Sequence, residues 1–241
     1  MTTALKNKYN MKQFLFLIWV LIIGYADVQA QSDHAYGFLG GLTVGMQTWN
    51  GQDRDPLIAW NGRAFYEVLS DTENSLFGEL GYHVKGSAIR SRFITQSGEL
   101  FNNVNNMKVN NISLLLGGKR QYNLFKSSND NFSSYLKLGL RLEYTASDTF
   151  DIFQNFTEGI NRVNYGATIG AGIHIGPALG PVQFVLDLQL SPDFSQQIYI
   201  PPGQYYNRFT QTFQPFAEQK VINIAIELTL GIRFVNRYYD E

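Results

Sequence analysis

The sequence predicts an all-β protein: an eight-stranded antiparallel up-and-down transmembrane β-barrel with short periplasmic turns and longer extracellular loops. Three observations lead to this fold class. Eight segments alternate apolar and polar residues, the links between them are alternately short and long, and the 241-residue chain contains no cysteine. A sheet that closes on itself needs no disulfides, because every strand pairs with two neighbours.

The N-terminal segment is predicted to be an export signal. Lys12 precedes the apolar run FLFLIWVLIIG, and the small residues of VQA offer a cleavage site. The run is too short to cross a bilayer as a helix, which takes about 20 residues. We therefore assign residues 1–30 to the signal, with 1–10 as an extension from an upstream start, and 31–241 to a single β-barrel domain.

Each predicted strand places large apolar residues on one face and polar residues or glycine on the other. In YLKLGLRLEY, four leucines and Tyr144 share one face, whereas Lys137, Arg141 and Glu143 share the other. This period of two indicates strands and not helices. In chain order the eight segments are LTVGMQ (42–47), WNGRAFYEV (60–68), LFGELGYHVK (76–85), NISLLLGGK (111–119), YLKLGLRLEY (135–144), VNYGATIGAGIHI (163–175), VQFVLDLQL (182–190) and VINIAIELTLGIRF (221–234).

The links between the strands differ at the two ends of the predicted barrel. SDTENS, NLFKSSNDN and GPALGP are short polar or Gly/Pro turns. They alternate with longer links predicted at 48–58, 86–106, 145–162 and 191–218, where ELFNNVNNMK is interpreted as a solvated loop. This asymmetry is typical of outer-membrane barrels. The last strand is expected to pair with the first, near GFLGGLTVGM, because unpaired sheet edges are not tolerated in lipid.

The apolar faces are predicted to meet lipid. An eight-stranded barrel has an interior only just wide enough for its own side chains, and the apolar faces carry too many large residues to fit there. Aromatic residues near the strand ends are interpreted as a girdle at the membrane interface. They are Tyr36, Trp49, Trp60, Tyr66, Tyr144, Tyr165 and Phe234.

The opposite faces carry charges of both signs, which are predicted to form a network in the lumen. Charges removed from water must be paired and hydrogen-bonded, so we expect a filled barrel and not an open pore. Within it, His83 is interpreted as an interior hydrogen-bonding partner of Glu79. The predicted network consists of Arg63, Glu67, Glu79, His83, Lys85, Lys119, Lys137, Arg141, Glu143, Asp187, Glu227 and Arg233.

No pattern indicates catalysis or cofactor chemistry. Three histidines and no cysteine give no zinc-site spacing, and a formal charge of −1 offers no basic surface for nucleic acid. We assign no catalytic, cofactor-binding or metal-binding residue. The aromatic segment 196–214 is predicted to be either a lid over the barrel mouth or a partner-binding surface. The candidate partner residues are Phe194, Tyr199, Tyr205, Tyr206, Arg208, Phe209, Phe213 and Phe216.

The eight segments and the closing TLGIRF resemble the small outer-membrane β-barrels of the OmpX/OmpA-barrel kind. More narrowly, the chain is similar to the outer membrane β-barrel domain proteins, including PorT-like ones, of bacteria related to Bacteroides and Flavobacterium. Thr229, Gly231 and Phe234 match part of the C-terminal assembly signal of such barrels, although Asn236 stands where a second apolar residue is usual. The resemblance implies an outer-membrane location and, by analogy with PorT-like members, a part in protein secretion.

These observations predict a non-enzymatic outer-membrane barrel that acts as an interaction, assembly or structural envelope component, including as an accessory of a secretion or barrel-assembly machine. The expected partners are outer-membrane lipid and lipopolysaccharide, the barrel-assembly machinery during insertion, and another envelope protein bound through the extracellular loops. Two alternatives stay open. One is a lipid- or protein-modifying enzyme, which needs a histidine beside a serine or acid at the rim. The other is a soluble ligand-binding barrel.

Overall fold

The computed structural model describes residues 33–50, 54–70, 73–94, 99–122, 131–149, 159–177, 180–207 and 211–237. The predicted export signal lies outside these ranges. In the described part of the chain, no helix is long and apolar enough to cross a membrane. The strands are β1 (Asp33–Thr48), β2 (Asp55–Leu69), β3 (Asn74–Ile94), β4 (Leu100–Tyr122), β5 (Phe132–Asp148), β6 (Val163–Ile175), β7 (Val182–Pro192), β8 (Ile198–Ile200), β9 (Gly203–Asn207), β10 (Thr212–Phe216) and β11 (Gln219–Asn236).

Eight of these strands close into a ring. Each of the strands β1 to β6 pairs antiparallel with the next strand, and β11 pairs with both β7 and β1. The closing seam between β1 and β11 extends from His34 opposite Asn236 to Thr48 opposite Ile222. The predicted eight-stranded up-and-down barrel is therefore confirmed, as is the pairing of the last strand with the first.

Two of the predicted long links contain strands instead. The predicted link 86–106 lies mostly within β3 and β4, which remain paired to Ile94 opposite Leu100. The interpretation of ELFNNVNNMK as a solvated loop was therefore wrong. Asparagines stand on both faces of this segment, so its sequence gives no apolar alternation. Pairing with β3 nevertheless continues, because a hairpin satisfies its backbone groups whatever its side chains are.

The predicted link 191–218 also departs from a plain loop. Strand β8 continues the line of β7 along β11, because Pro192 pairs with Ile224 and Ile198 pairs with Val221. The chain advances six residues from 192 to 198 against three from 224 to 221, which makes residues 193–197 a bulge. Strands β9 and β10 form a separate hairpin.

The exterior of the barrel is an apolar belt. Leucines and phenylalanines in the barrel strands are strongly exposed, including Leu140 at 72%, Leu230 at 66% and Phe38 at 65%. A soluble ligand-binding barrel does not fit this arrangement, because it would bury its apolar face. Closed barrels with an outward apolar band are the β structures that span the outer membrane, so the predicted location is confirmed.

Aromatic side chains mark both edges of this belt. Near the short-turn end, Tyr36 lies opposite both Tyr66 and Phe234, and the rings of Tyr36 and Phe234 stack at 5.5 Å. Toward the other end, which we call the outer end, Trp60, Tyr144 and Tyr165 are exposed, in keeping with the predicted girdle.

Trp49 is an exception, and its assignment to the girdle was wrong. It is only 7% exposed, and its Nε1 donates a 3.2 Å hydrogen bond to Gln47 Oε1. Position 49 shares the inward parity of Gln47, which outweighs its place at the strand end. Trp49 therefore belongs to the inside of the barrel.

Apolar side chains also occupy the lumen, one cluster at each end. Leu39, Phe65, Tyr135 and Val185 form the cluster toward the short turns. Gly172 makes room for Tyr135, because a Cβ there would lie 2.3 Å from the tyrosine ring. At the outer end the apolar cap consists of Trp49, Met107, Val109, Ile198, Ile200 and Val221.

We predict that placing a charge on the belt destabilises the barrel in a bilayer. Leu140→Arg should lower the free energy of unfolding from lipid vesicles by about 2–4 kcal/mol, because an arginine near the bilayer midplane must be dehydrated. Leu100→Arg is the matched control, since Leu100 is also exposed, at 61%, but begins β4 at the tip of the long hairpin. Equal losses in urea titrations of the two variants would contradict the proposed position of the belt.

Candidate functional site

The lumen is filled with charged side chains. All twelve residues of the predicted network are buried there, the most exposed being Arg63 at 8%. Each is held in place by strand parity, which turns alternate residues of β2, β3, β4, β5, β7 and β11 inward. Three clusters can be distinguished along the barrel axis.

The cluster nearest the short turns is centred on Glu67. Lys119 Nζ donates to Glu67 Oε1, and Arg233 donates to Glu67 Oε2 from Nε at 3.2 Å and from Nη2 at 3.0 Å. Arg233 Nη1 also donates to Gln183 Oε1 at 2.7 Å. Lys119 lies 4.3 Å from the centre of the Tyr135 ring, a cation–π contact. One carboxylate thus holds two cations.

The central cluster is built on Arg63 and Asp187. Arg63 Nη2 donates to Asp187 Oδ1 at 2.5 Å and to Thr229 Oγ1 at 2.7 Å. Tyr135 OH donates to the other Asp187 oxygen at 2.6 Å. Lys137 Nζ lies 2.8 Å from Glu79 Oε1 and 3.0 Å from Asp187 Oδ2. These bonds connect five strands, β2, β3, β5, β7 and β11, across the lumen.

The outer cluster contains an acid that the sequence prediction missed. Lys85 Nζ lies 2.7 Å from Glu143 Oε1 and 3.0 Å from Asp193 Oδ1, and Arg141 Nη2 lies 2.5 Å from the same Asp193 oxygen. Asp193 is 5% exposed. We had placed it in the link 191–218, but it continues the inward parity of β7 at the start of the bulge.

With Asp193 included, the lumen charges balance. The six cations are Arg63, Lys85, Lys119, Lys137, Arg141 and Arg233, and the six acids are Glu67, Glu79, Glu143, Asp187, Asp193 and Glu227. The predicted network had only five acids, so this imbalance was itself a signal that one acid had been overlooked. Gln189 and Ser191 face inward, and Asp193 is the next residue of the same parity, so the alternation along β7 indicates its position.

His83 joins the central cluster to the outer one. Its Nδ1 lies 2.9 Å from Glu227 Oε1 and its Nε2 lies 3.1 Å from Glu143 Oε1. The predicted pairing of His83 with Glu79 was therefore wrong. Residues four apart in a strand share a face but are more than 10 Å apart, so the histidine reaches acids on β5 and β11 instead.

A layer of uncharged amides separates the charges from the apolar cap. Gln47 Nε2 donates to Asn223 Oδ1 at 3.0 Å, and Asn223 Nδ2 donates to Asp193 Oδ2 at 3.0 Å and to Gln197 Oε1. Gln197 Nε2 in turn donates to Thr145 Oγ1 at 3.2 Å. Gln197 was not predicted here, because it lies in the predicted link 191–218. The amides complete the hydrogen bonding of the outer acids.

The predicted partner residues separate into two groups. Phe194 and Tyr199 lie on the barrel wall and are 59% and 39% exposed. Tyr199 is next to a rim pair in which Lys220 Nζ lies 3.0 Å from Glu218 Oε2. Hydrogen bonds from Lys220 and Tyr199 lower the pKa of Glu218. These two aromatics therefore border the lipid-facing belt.

The other predicted partner residues belong to the β9–β10 hairpin. Tyr205, Tyr206, Phe213 and Phe216 lie in its two strands, and Phe213 is 69% exposed. Arg208 and Phe209 lie outside the described residues. Within the described part of the chain, the hairpin pairs with no strand of the barrel. Phe213 is therefore an exposed aromatic side chain on this hairpin.

The residues of the predicted assembly signal have structural partners. Thr229 Oγ1 accepts the hydrogen bond from Arg63, and Phe234 stacks on Tyr36. Gly231 lies at the closing seam, where a Cβ would come within 1.9 Å of Phe38 O. All three positions therefore help to join β11 to β1 and to the lumen.

A serine–histidine pair lies at the short-turn rim, where strand parity had suggested none. Ser133 Oγ and His174 Nδ1 are 3.3 Å apart, and the His174 ring packs 4.7 Å from Tyr135. His174 Nε2 is buried and has no hydrogen-bond partner among the described residues. A triad needs a third group to orient the base, and the described part of the chain has none within hydrogen-bonding distance of His174 Nε2. The described residues likewise contain no group of three acids, histidines or cysteines that could hold a metal ion.

No protein-family model matches the chain, and no curated protein matches it. Solved structures similar to it include Ail, the attachment invasion locus protein of Yersinia pestis, with 13% identity and a TM-score of 0.39, covering 85% of this chain and 99% of that one. Neisserial surface protein A has 13% identity and a TM-score of 0.43 over 84% and 96% of the two chains. Outer Membrane Protein W of E. coli has 12% identity and a TM-score of 0.30 over 86% and 100%.

We predict that removing one buried charge is far more costly than removing an exposed one. Glu67→Gln should lower the free energy of unfolding by about 3–5 kcal/mol, because it leaves Lys119 and Arg233 without their counter-charge. Glu73→Gln is the matched control. Its pair with Arg120 spans 3.3 Å but is exposed, so the loss should stay below about 1 kcal/mol. Similar urea midpoints for the two variants would contradict the ion-paired lumen.

Proposed function

We propose that the protein is a non-enzymatic outer-membrane component that works through its outer end, as an interaction, assembly or structural element of the envelope. The observation that carries this proposal is the filled lumen. A barrel whose interior is occupied by paired charges offers no internal space for a substrate, so its working surfaces are its exterior and its loops.

The size of the remaining space supports a barrel that does not conduct. A lumen cavity lined by Arg63, Glu79, His83, Arg141 and Glu227 has a volume of about 20 Å³, close to that of one water molecule. The charges around it are of both signs, whereas ion pathways are commonly lined by rings of one sign. The apolar cap and the amide layer lie between this cavity and the outer surface.

The β9–β10 hairpin is the surface we propose for a partner. It carries the exposed Phe213, it follows Pro201 and Pro202, and its backbone pairing is independent of the barrel. Exposed aromatics with few charges are typical of interaction surfaces. An envelope protein bound here would make the barrel an accessory of a larger complex, such as the secretion or barrel-assembly machines suggested by the family resemblance.

The remaining proposed partners follow from the exterior. The apolar belt contacts outer-membrane lipid, and we propose that Lys220, an exposed cation paired with Glu218, binds lipopolysaccharide phosphate. The barrel-assembly machinery would engage β11 during insertion, where Thr229, Gly231 and Phe234 match the assembly signal.

We predict that the purified barrel forms no channels in planar lipid bilayers. Salt bridges that span the lumen leave no continuous aqueous path, so no discrete conductance steps should be recorded at any applied voltage below membrane rupture. Folding before reconstitution is verified by heat-modifiable migration on a gel. Regular conductance steps from the folded protein would contradict the sealed lumen and, with it, the proposed function.

We also predict that the hairpin is needed to capture an envelope partner. Replacing residues 203–216 with a short Gly/Ser linker should abolish co-purification of proteins cross-linked to the barrel in native outer membranes. The replacement leaves residues 193–200 intact, because Asp193, Gln197, Ile198 and Ile200 are part of the lumen packing. As a control, the same linker replaces residues 95–98, which follow β3 in the sequence. Retrieval of the same proteins by both variants would exclude the β9–β10 hairpin as the partner site.

A further inference from the structure

Unpaired polar atoms meet at one place in the otherwise paired lumen. The cavity of about 20 Å³ is lined by Asn61, Arg63, His83, Arg141 and Gln189 among others. Asn61, Arg63, Arg141 and Gln189 each have one buried nitrogen or oxygen atom without a hydrogen bond among the described residues, whereas His83 Nε2 lies 3.1 Å from Glu143 Oε1. Buried polar groups are rarely left unpaired, because each unmade bond costs about 1–3 kcal/mol.

Two of the unpaired atoms are donors on arginines. Arg141 Nε lies 2.5 Å from Glu143 Oε1, but its N–H bond does not point at that oxygen. Arg63 Nε lies 3.5 Å from Glu79 Oε2, at the limit of a hydrogen bond. Both guanidinium groups are anchored elsewhere by their Nη atoms. Their Nε–H groups therefore remain available to a third molecule.

Two further unpaired atoms are acceptors on amides. Gln189 Nε2 donates to Glu227 Oε2 at 2.6 Å, which fixes the orientation of the amide and leaves its Oε1 unpaired. Asn61 Nδ2 donates to Thr43 Oγ1 at 2.9 Å, which leaves Asn61 Oδ1 unpaired in the same way. The cavity is therefore lined by both hydrogen-bond donors and hydrogen-bond acceptors.

We propose that this cavity is a binding site for one ordered water molecule. A water accepts two hydrogen bonds and donates two, which matches Arg63 and Arg141 as donors and Asn61 and Gln189 as acceptors. A volume of about 20 Å³ exceeds the roughly 10–15 Å³ that a cavity needs in order to hold a water molecule.

The fixed amide of Gln189 selects water over a small anion. An anion accepts hydrogen bonds only, so the Gln189 oxygen would repel it at short range. The hydroxyl of Thr43 can either donate or accept, so Asn61 could adapt to either occupant, whereas Gln189 is held by the Glu227 carboxylate. Water also places the negative end of its dipole between two guanidinium groups, which lowers their mutual repulsion.

The test is nuclear magnetic resonance of the folded barrel labelled with 15N at arginine Nε. We expect cross-peaks between water and the Hε protons of Arg63 and Arg141, with the sign that marks a long-lived complex. The Hε of Arg233 provides the internal control, because its Nε already donates to Glu67. Cross-peaks of equal intensity at all three arginines would mean a generally hydrated lumen, and none at Arg63 and Arg141 would mean an empty cavity. Either result overturns the proposal.

A pair of variants provides a second test of the proposed water site. Gln189→Leu removes an acceptor and adds apolar volume to the cavity, so both water cross-peaks should disappear. Gln183→Leu is the matched control, since Gln183 is a buried lumen glutamine that does not line the cavity. In this variant the cross-peaks between water and the Hε protons of Arg63 and Arg141 should persist. If Gln189→Leu fails to fold, the spectrum of the wild-type protein still tests whether the cavity holds a water molecule. An anomalous scattering peak in the cavity of bromide-soaked crystals would identify an anion site and overturn the water assignment.

Discussion

A charge enclosed in a narrow barrel, away from bulk water, must meet its counter-charge, and the inside of this molecule is organised by that requirement. The interior of an eight-stranded barrel is too narrow for solvent to screen its side chains. Six cations therefore face six acids, and most of the acids contact two cations each. Glu67 and Asp187 hold together strands that are not neighbours in the sheet. The ionic contacts thus fix the cross-section of the barrel as well as filling it.

The apolar character of the exterior follows from the closure of the sheet into a barrel. Backbone groups cannot be left unpaired in lipid, so the sheet has to return to its first strand, and every strand must then be apolar on one side and polar on the other. Toward the outer end the inward residues change from charges to amides and then to the apolar cap around Trp49. This gradation leaves the β9–β10 hairpin as the part of the described chain that depends least on the barrel for its pairing.

Strand parity predicted most of this structure, because a period of two determines which face each residue occupies. It assigned eleven charged residues and His83 to the inward face, but it could not determine which of them touch, since that depends on distances across the barrel. His83 reaches Glu143 and Glu227 and not its neighbour Glu79 for that reason. Parity was also lost where the sequence is polar on both faces, as in β4 before Met107, and where the chain bulges after Pro192. The missing acid, Asp193, lay just past the point where the apolar signal of β7 ended.

The bulge at residues 193–197 also affects how relatives of this chain should be recognised. It adds three residues to one side of a strand pair while the register before and after it stays regular, so the inward positions change from odd to even numbers. An alignment that tolerates no gap inside strands would pair Ile198 and Ile200 of this chain with lipid-facing residues of a barrel without the bulge. The columns of β8 would then lose their correct register, whereas Asp193 would keep the register of β7. Searches that allow a three-residue insertion between β7 and β8 should recover the register of β8.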